Sequence, residues 1–73
     1  MHFDRIKNTR EDLDLTQKQV ADGLFITRSA YSNYENGIRA VPVEILSGLA
    51  DIYGTSVDYL IGRTDMKKPY PKK

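Results

Sequence analysis

Thr16-Gln17-Lys18-Gln19-Val20-Ala21-Asp22-Gly23-Leu24-Phe25-Ile26-Thr27-Arg28-Ser29-Ala30-Tyr31 is the stretch that decides the fold. Thr16 and Gln19 have capping-box spacing: the hydroxyl can hold a free amide of a new helix while the glutamine reaches back to the cap. Val20, Ala21 and Leu24 then form an apolar stripe. A turn at Phe25-Ile26 leads to Thr27, a good N-cap for the next helix, the third of the chain, which runs until Asn36-Gly37. That pair suits the left-handed backbone that terminates helices. Two capped helices joined by three or four residues predict a helix-turn-helix, and Ala21 is small enough for the tight crossing.

Outward from this pair the pattern stays helical. A first helix is expected from about Phe3 to Leu13, with Phe3, Ile6, Arg10 and Leu13 along one face. Pro42 can open a fourth helix as its first residue, with Ile45, Leu46, Leu49, Ile52 and Tyr53 turned inward and Gly54 closing it. Thr55 or Ser56 caps a fifth helix carrying Val57, Leu60 and Ile61, which stops at Gly62. Sustained alternation with hairpin chemistry is missing, so the expectation is an all-α domain of five helices over residues 1–62. Residues 63–73, rich in lysine and proline, read as an extended basic tail.

Composition removes several classes of function. The 73 residues allow one small domain, in which each apolar side chain counts. There is no cysteine and one histidine, His2, so histidine catalysis and a zinc site are not expected. Neither a nucleophile–base set, a metal-ligand cluster nor a phosphate loop can be picked out. An enzyme is not expected, nor a cofactor or a small-molecule site. Apolar runs fall short of the roughly 20 residues that cross a bilayer, and the start lacks a signal-peptide layout, so the expected location is the cytoplasm. Net charge is only +1. The tail holds Arg63, Lys67, Lys68, Lys72 and Lys73 against Asp65, a net +4 that leaves −3 for the rest. Bulk charge therefore does not point to nucleic acid, and any such argument must rest on where particular side chains lie.

The third helix supplies that argument. At about 100° per residue, with Arg28 at zero, Ser32, Ser29 and Asn33 fall near 40°, 100° and 140°. Ala30, Tyr34 and Tyr31 fall near 200°, 240° and 300° and form the packing face. Arginine can grip guanine, asparagine can grip adenine, and serine can serve either. The wheel alone fits equally the solvated flank of an amphipathic helix.

The ordered set Leu15-Thr16-Gln17, Val20-Ala21, Leu24, Ile26, Thr27, Tyr34-Glu35-Asn36-Gly37, Pro42, Leu49-Ala50, Tyr53-Gly54 and Ser56-Val57-Asp58-Tyr59-Leu60 resembles the Cro and phage-repressor type of helix-turn-helix regulators, the XRE family. The resemblance covers about residues 3 to 62. It implies a lambda-repressor-like five-helix fold and a sequence-specific regulator, expected to be a repressor, that reads a palindromic operator as a homodimer. By the same resemblance Thr27, Arg28, Ser29 and Asn33 fall where bases are read, with Ser32 as a backup. Gln17, Asn36, Gly37 and Arg39 fall where the DNA backbone is touched. Arg10 and Glu35 fall where close relatives form a partly buried ion pair. Tyr59 and Ile61 are candidates for a dimer seam, and equally for the monomer's core. Arg5 and Lys18 are expected to be solvated surface, and the rings of Tyr31, Tyr34 and Tyr53 to pack in the core.

The chain departs from that family in two ways. Phe25 stands where the family usually has a turn glycine, so either Phe25 is left-handed or the second helix ends early. Asp4, Glu11, Asp12, Asp14 and Asp22 crowd the first half, which leaves a second function open: a protein-interaction module on the same fold, such as an antirepressor or antitoxin.

Overall fold

A computed structural model describes residues 3–68; His2 and the tail from Pro69 onward lie outside the described residues. Five helices follow one another: α1 (Asp4–Asp12), α2 (Gln17–Gly23), α3 (Arg28–Glu35), α4 (Val43–Tyr53) and α5 (Val57–Leu60). No strand occurs among the described residues. The architecture is the all-α five-helix one that the sequence predicts.

Local chemistry explains each helix start. Thr16 Oγ1 accepts from the amide of Gln19 at 3.0 Å, and Gln19 Oε1 accepts from the amide of Thr16 at 2.8 Å, so the capping box is complete. Thr27 caps α3 by accepting from the amide of Ala30 at 3.1 Å. Ser56, not Thr55, caps α5. Pro42 sits at the cap of α4 with ψ 154°, and Val43 is its first helical residue. This corrects the expectation by one position, because the extended ψ of Pro42 keeps it outside the helix.

The helix ends obey a single rule. In all five, a residue one or two places past the helix is left-handed: Asp14, Phe25, Gly37, Gly54 and Gly62 have φ between 56° and 84°. At each, the left-handed amide bonds the carbonyl three residues back, and the next amide bonds the carbonyl five residues back. The pairs after α2 are Phe25 N–H to Asp22 O at 3.2 Å and Ile26 N–H to Ala21 O at 3.1 Å. This is the Schellman motif, which satisfies otherwise orphaned carbonyls. Glycine adopts the left-handed backbone without a Cβ penalty, aspartate tolerates it, and phenylalanine does so at a cost of about 1–2 kcal/mol. The left-handed alternative for Phe25 is therefore the one realised.

The core joins Ile6, Val20, Ala21, Tyr31, Leu46, Leu49, Ala50, Tyr53 and Leu60, with contributions from every helix. α2 approaches α4 closely: a Cβ on Gly48 would lie 2.6 Å from a Leu24 methyl, and one on Gly23 would lie 3.0 Å from the end of Ile52. Two side chains expected inside are more open. Leu13 is 47% exposed because α1 stops at Asp12 and the chain turns there. Ile52 is 37% exposed, with its end beside Gly23. Tyr34 is half-buried.

After Gly62 the chain folds back on the body. Arg5 NH1 donates to the carbonyls of Tyr59 at 2.9 Å and Thr64 at 2.6 Å, while NH2 meets Asp65 Oδ1 at 2.7 Å. The same guanidinium lies 4.2 Å from the centre of the Tyr59 ring. The buried Thr55 hydroxyl donates to the carbonyl of Lys67. Arg5 is thus a clamp rather than free surface, and contacts with the body continue past residue 62.

Candidate nucleic-acid interface

α2 and α3 are locked together by the Schellman turn at Phe25, by burial of Val20, Ala21 and Tyr31, and by a polar cluster centred on Glu35. The Glu35 side chain is 1% exposed and accepts four hydrogen bonds. Oε2 receives Arg10 Nε at 2.8 Å and the Tyr31 hydroxyl at 2.6 Å. Oε1 receives Arg10 NH2 at 3.0 Å and Gln17 Nε2 at 3.2 Å. Arg10 also donates through NH1 to the carbonyl of Leu15 at 2.8 Å. Since the Tyr31 hydroxyl spends its proton on Glu35, the Tyr53 hydroxyl 3.1 Å away must be the donor between the two tyrosines. Side chains of α1, α2 and α3 therefore converge on one carboxylate, with Tyr53 of α4 joined to it through Tyr31.

The electrostatics follow from this geometry. Burial alone would raise the Glu35 pKa, but the bonds from Arg10, Tyr31 and Gln17 outweigh it and hold the carboxyl below its ordinary value. The bond to Glu35 holds the Arg10 guanidinium firmly charged, against the opposing effect of its burial. Burial, reinforced by the hydrogen bond to Glu35, pushes the Tyr31 hydroxyl well above the usual tyrosine range, and burial raises Tyr53.

In front of this cluster lies an open hollow of about 320 Å³ lined by Gln17, Arg28, Ser29, Ser32 and Asn33. Four of the five candidates for base contact, together with Gln17 from α2, share this one surface. Thr27 is exposed beside it, and its hydroxyl accepts the cap bond while keeping a proton to donate. A second hollow of about 510 Å³ is lined by Arg10, Leu15, Thr16, Gln17, Lys18 and Arg28, so Gln17 and Arg28 stand between the two. No aspartate or glutamate lines either hollow. Of the cations lining them, Arg10 is committed to Glu35 and Lys18 pairs with Asp22, so it is Arg28 with the hydroxyl and amide groups that makes a surface suited to a polyanion with hydrogen-bonding edges.

The remaining candidates lie around these hollows. Asn36 is exposed and its Nδ2 donates to Ser32 Oγ at 3.1 Å, while Gly37 carries the left-handed turn. Arg39 is exposed, and its amide bonds the Asn33 carbonyl at 3.2 Å, tying the loop to α3. Lys18 pairs with Asp22 at 2.9 Å. Tyr59 and Ile61 are half-buried, with Arg5 over the Tyr59 ring. The bond from Gln17 to Glu35 has no local sequence signal, because the partners are 18 residues apart and meet only when α2 packs on α3.

Known proteins are similar over nearly the whole chain. A family profile described as helix-turn-helix matches residues 6–60. The HTH-type transcriptional regulator AnsR of Bacillus subtilis is 36% identical over 72 residues, which is 99% of this chain and 62% of that protein. The cryptic phage CTXphi transcriptional repressor RstR of Vibrio cholerae is 37% identical over 60 residues, 82% of this chain and 54% of that one. The chain thus spans somewhat more than half the length of these relatives. A solved SinR–SinI protein complex contains a chain of the same fold, with TM-score 0.75 and 22% identity, covering 84% of this chain and 60% of that one. These relatives are named as regulators rather than enzymes. No helix among the described residues is long and apolar enough to cross a membrane. With the family profile spanning most of the sequence and the five-helix arrangement around α2 and α3, the chain belongs to the helix-turn-helix family, of the Cro and phage-repressor type.

Proposed function

We propose that this chain is a sequence-specific DNA-binding repressor that lays α3 in the major groove of a palindromic operator and acts as a homodimer on paired half-sites in the cytoplasm, at the nucleoid. The observation that carries the reading is the shared hollow: Arg28, Ser29, Ser32 and Asn33 stand on one open flank of a helix whose opposite flank is fixed in the core. Arg28 and Asn33 take the leading part in base reading, since both side chains can bond a base edge through two atoms. Thr27, Ser29 and Ser32 flank them. Gln17, Asn36, Gly37 and Arg39 hold the sugar-phosphate backbone, which positions the domain. The cation-lined second hollow supports a phosphate contact beside Gln17. In the dimer, Tyr59 and Ile61 lie at the seam.

The test is selection of bound duplexes from random sequence, repeated across salt concentrations, for the wild type, Arg28→Ala and Gln17→Ala. Arg28→Ala is expected to cost about 1–3 kcal/mol on the selected site and relax one base position. Gln17→Ala is expected to weaken all sequences evenly. Enriched sequences with two-fold symmetry support the homodimer. Weak, salt-insensitive binding without any enriched sequence refutes the proposal and favours a protein-binding module.

A further inference from the structure

Resting on the DNA-reading function above, the geometry points to Glu35 as a positioning residue for the DNA contact of Gln17: it fixes which face of the Gln17 amide is offered to DNA. A glutamine amide has a donor end and an acceptor end, and alone it can turn over freely. Glu35 removes that choice. Its carboxylate, held ionised by two bonds from Arg10, can only accept, so the end of Gln17 that lies 3.2 Å from Oε1 must be Nε2. The Gln17 carbonyl therefore points away from Glu35, and one N–H remains beyond the one given to Glu35.

The carboxylate cannot release this hold easily. It has about four acceptor positions, and Arg10 twice, Tyr31 and Gln17 fill them. Arg10 is braced in turn by the Leu15 carbonyl, and Tyr31 by the Tyr53 hydroxyl. Gln17 is the member of the cluster that also lines both surface hollows together with Arg28. It thus links the buried cluster to the outer surface. Ordering the side chain before DNA arrives lowers the entropy lost on binding. The remaining N–H suits a phosphate oxygen, an acceptor that contributes equally whatever the base sequence.

The experiment is a double-mutant cycle on the full chain, read as affinity for its selected duplex, with Gln17→Ala, Glu35→Gln and the two combined. Glu35→Gln is expected to weaken binding by about three- to tenfold, the cost of ordering one freely turning side chain on binding. The same change made in Gln17→Ala is expected to weaken it less than about twofold. Equal losses in the two backgrounds overturn the inference. Because Glu35→Gln also strips Arg10 of its ionic partner and can unfold the domain, a second measurement uses the wild type free in solution. Its Gln17 side-chain amide is expected to be as ordered as the helix backbone, with an order parameter of about 0.85, and a value below about 0.6 overturns the inference. A wild type that binds no duplex refutes the DNA-reading function and this inference with it. A wild type that binds while the cycle is additive refutes this inference alone.

Discussion

Replacing Phe25 by glycine should make the protein more stable, although it removes the largest side chain of the helix-turn-helix turn. Phe25 has φ 58° and is 95% exposed. Relief of the left-handed strain contributes about 1–2 kcal/mol. Against this, glycine gives the unfolded chain more freedom, at a cost of about 0.4–1 kcal/mol. Loss of burial costs no more than about 0.3 kcal/mol, because only a small part of a ring of some 200 Å² is covered. The balance is centred on a gain of about 0.6 kcal/mol, or roughly 2–5 °C in Tm for a domain of this size. Thermal and urea unfolding followed by circular dichroism measure it, with Phe25→Ala as the control. Alanine keeps the Cβ and hence the strain, so it should stay within about 0.5 kcal/mol of wild type. If both variants lose more than about 1 kcal/mol, the ring packs on something and the exposure argument is wrong. If both gain equally, the strain does not lie in the left-handed backbone.

Three further outcomes are expected. Arg10→Leu strands the Glu35 carboxylate in the interior and should cost about 3–5 kcal/mol, read by urea unfolding, and Glu35→Leu added to it should recover part of the loss. Stability should fall at both extremes of pH. The Glu35 pKa is lowered on folding, so its contribution is present above the ordinary value near 4.3 and is lost as pH drops below it. Tyr31 and Tyr53 are raised, so their contribution is present below about pH 10 and is lost as pH climbs beyond it; alkaline titration at 295 nm should show two tyrosines ionising late, with unfolding. Arg5→Ala should cost about 1–2 kcal/mol. That loss should appear locally, as roughly 5- to 30-fold faster hydrogen exchange at Ile61 to Arg63, with Leu49 in the core less affected.

What could be read from the sequence was short in range. The Thr16–Gln19 capping box, the Thr27 cap and the stops at Gly37, Gly54 and Gly62 each depend on residues within one turn of one another, and all occur. The open flank of α3 followed from the helical period alone. Asp14 does what the three glycines do, but residue type hides it, whereas the left-handed option at Phe25 was open because the resemblance puts a glycine there. Leu13 and Ile52 were placed inward because a wheel knows nothing of where a helix stops or how far a neighbour reaches. Of the four bonds at Glu35 only the one from Tyr31 is local, at i and i+4 on α3; those from Arg10 and Gln17 cross between helices, and the Arg10 pair was legible only through the resemblance. The backbone carbonyls that seize Arg5 carry no signature in the side-chain sequence.

The Arg5 clamp also bears on the timing of synthesis. A four-residue helix such as α5 cannot sustain itself and depends on its neighbours. One of those neighbours is Arg5, which leaves the ribosome 54 to 60 residues before its acceptors at Tyr59, Thr64 and Asp65. The clamp therefore cannot close until the chain has been made through Asp65. Loss of the Arg5 side chain would undo a seal on residues 59–65 while leaving the α2–α3 contacts in place.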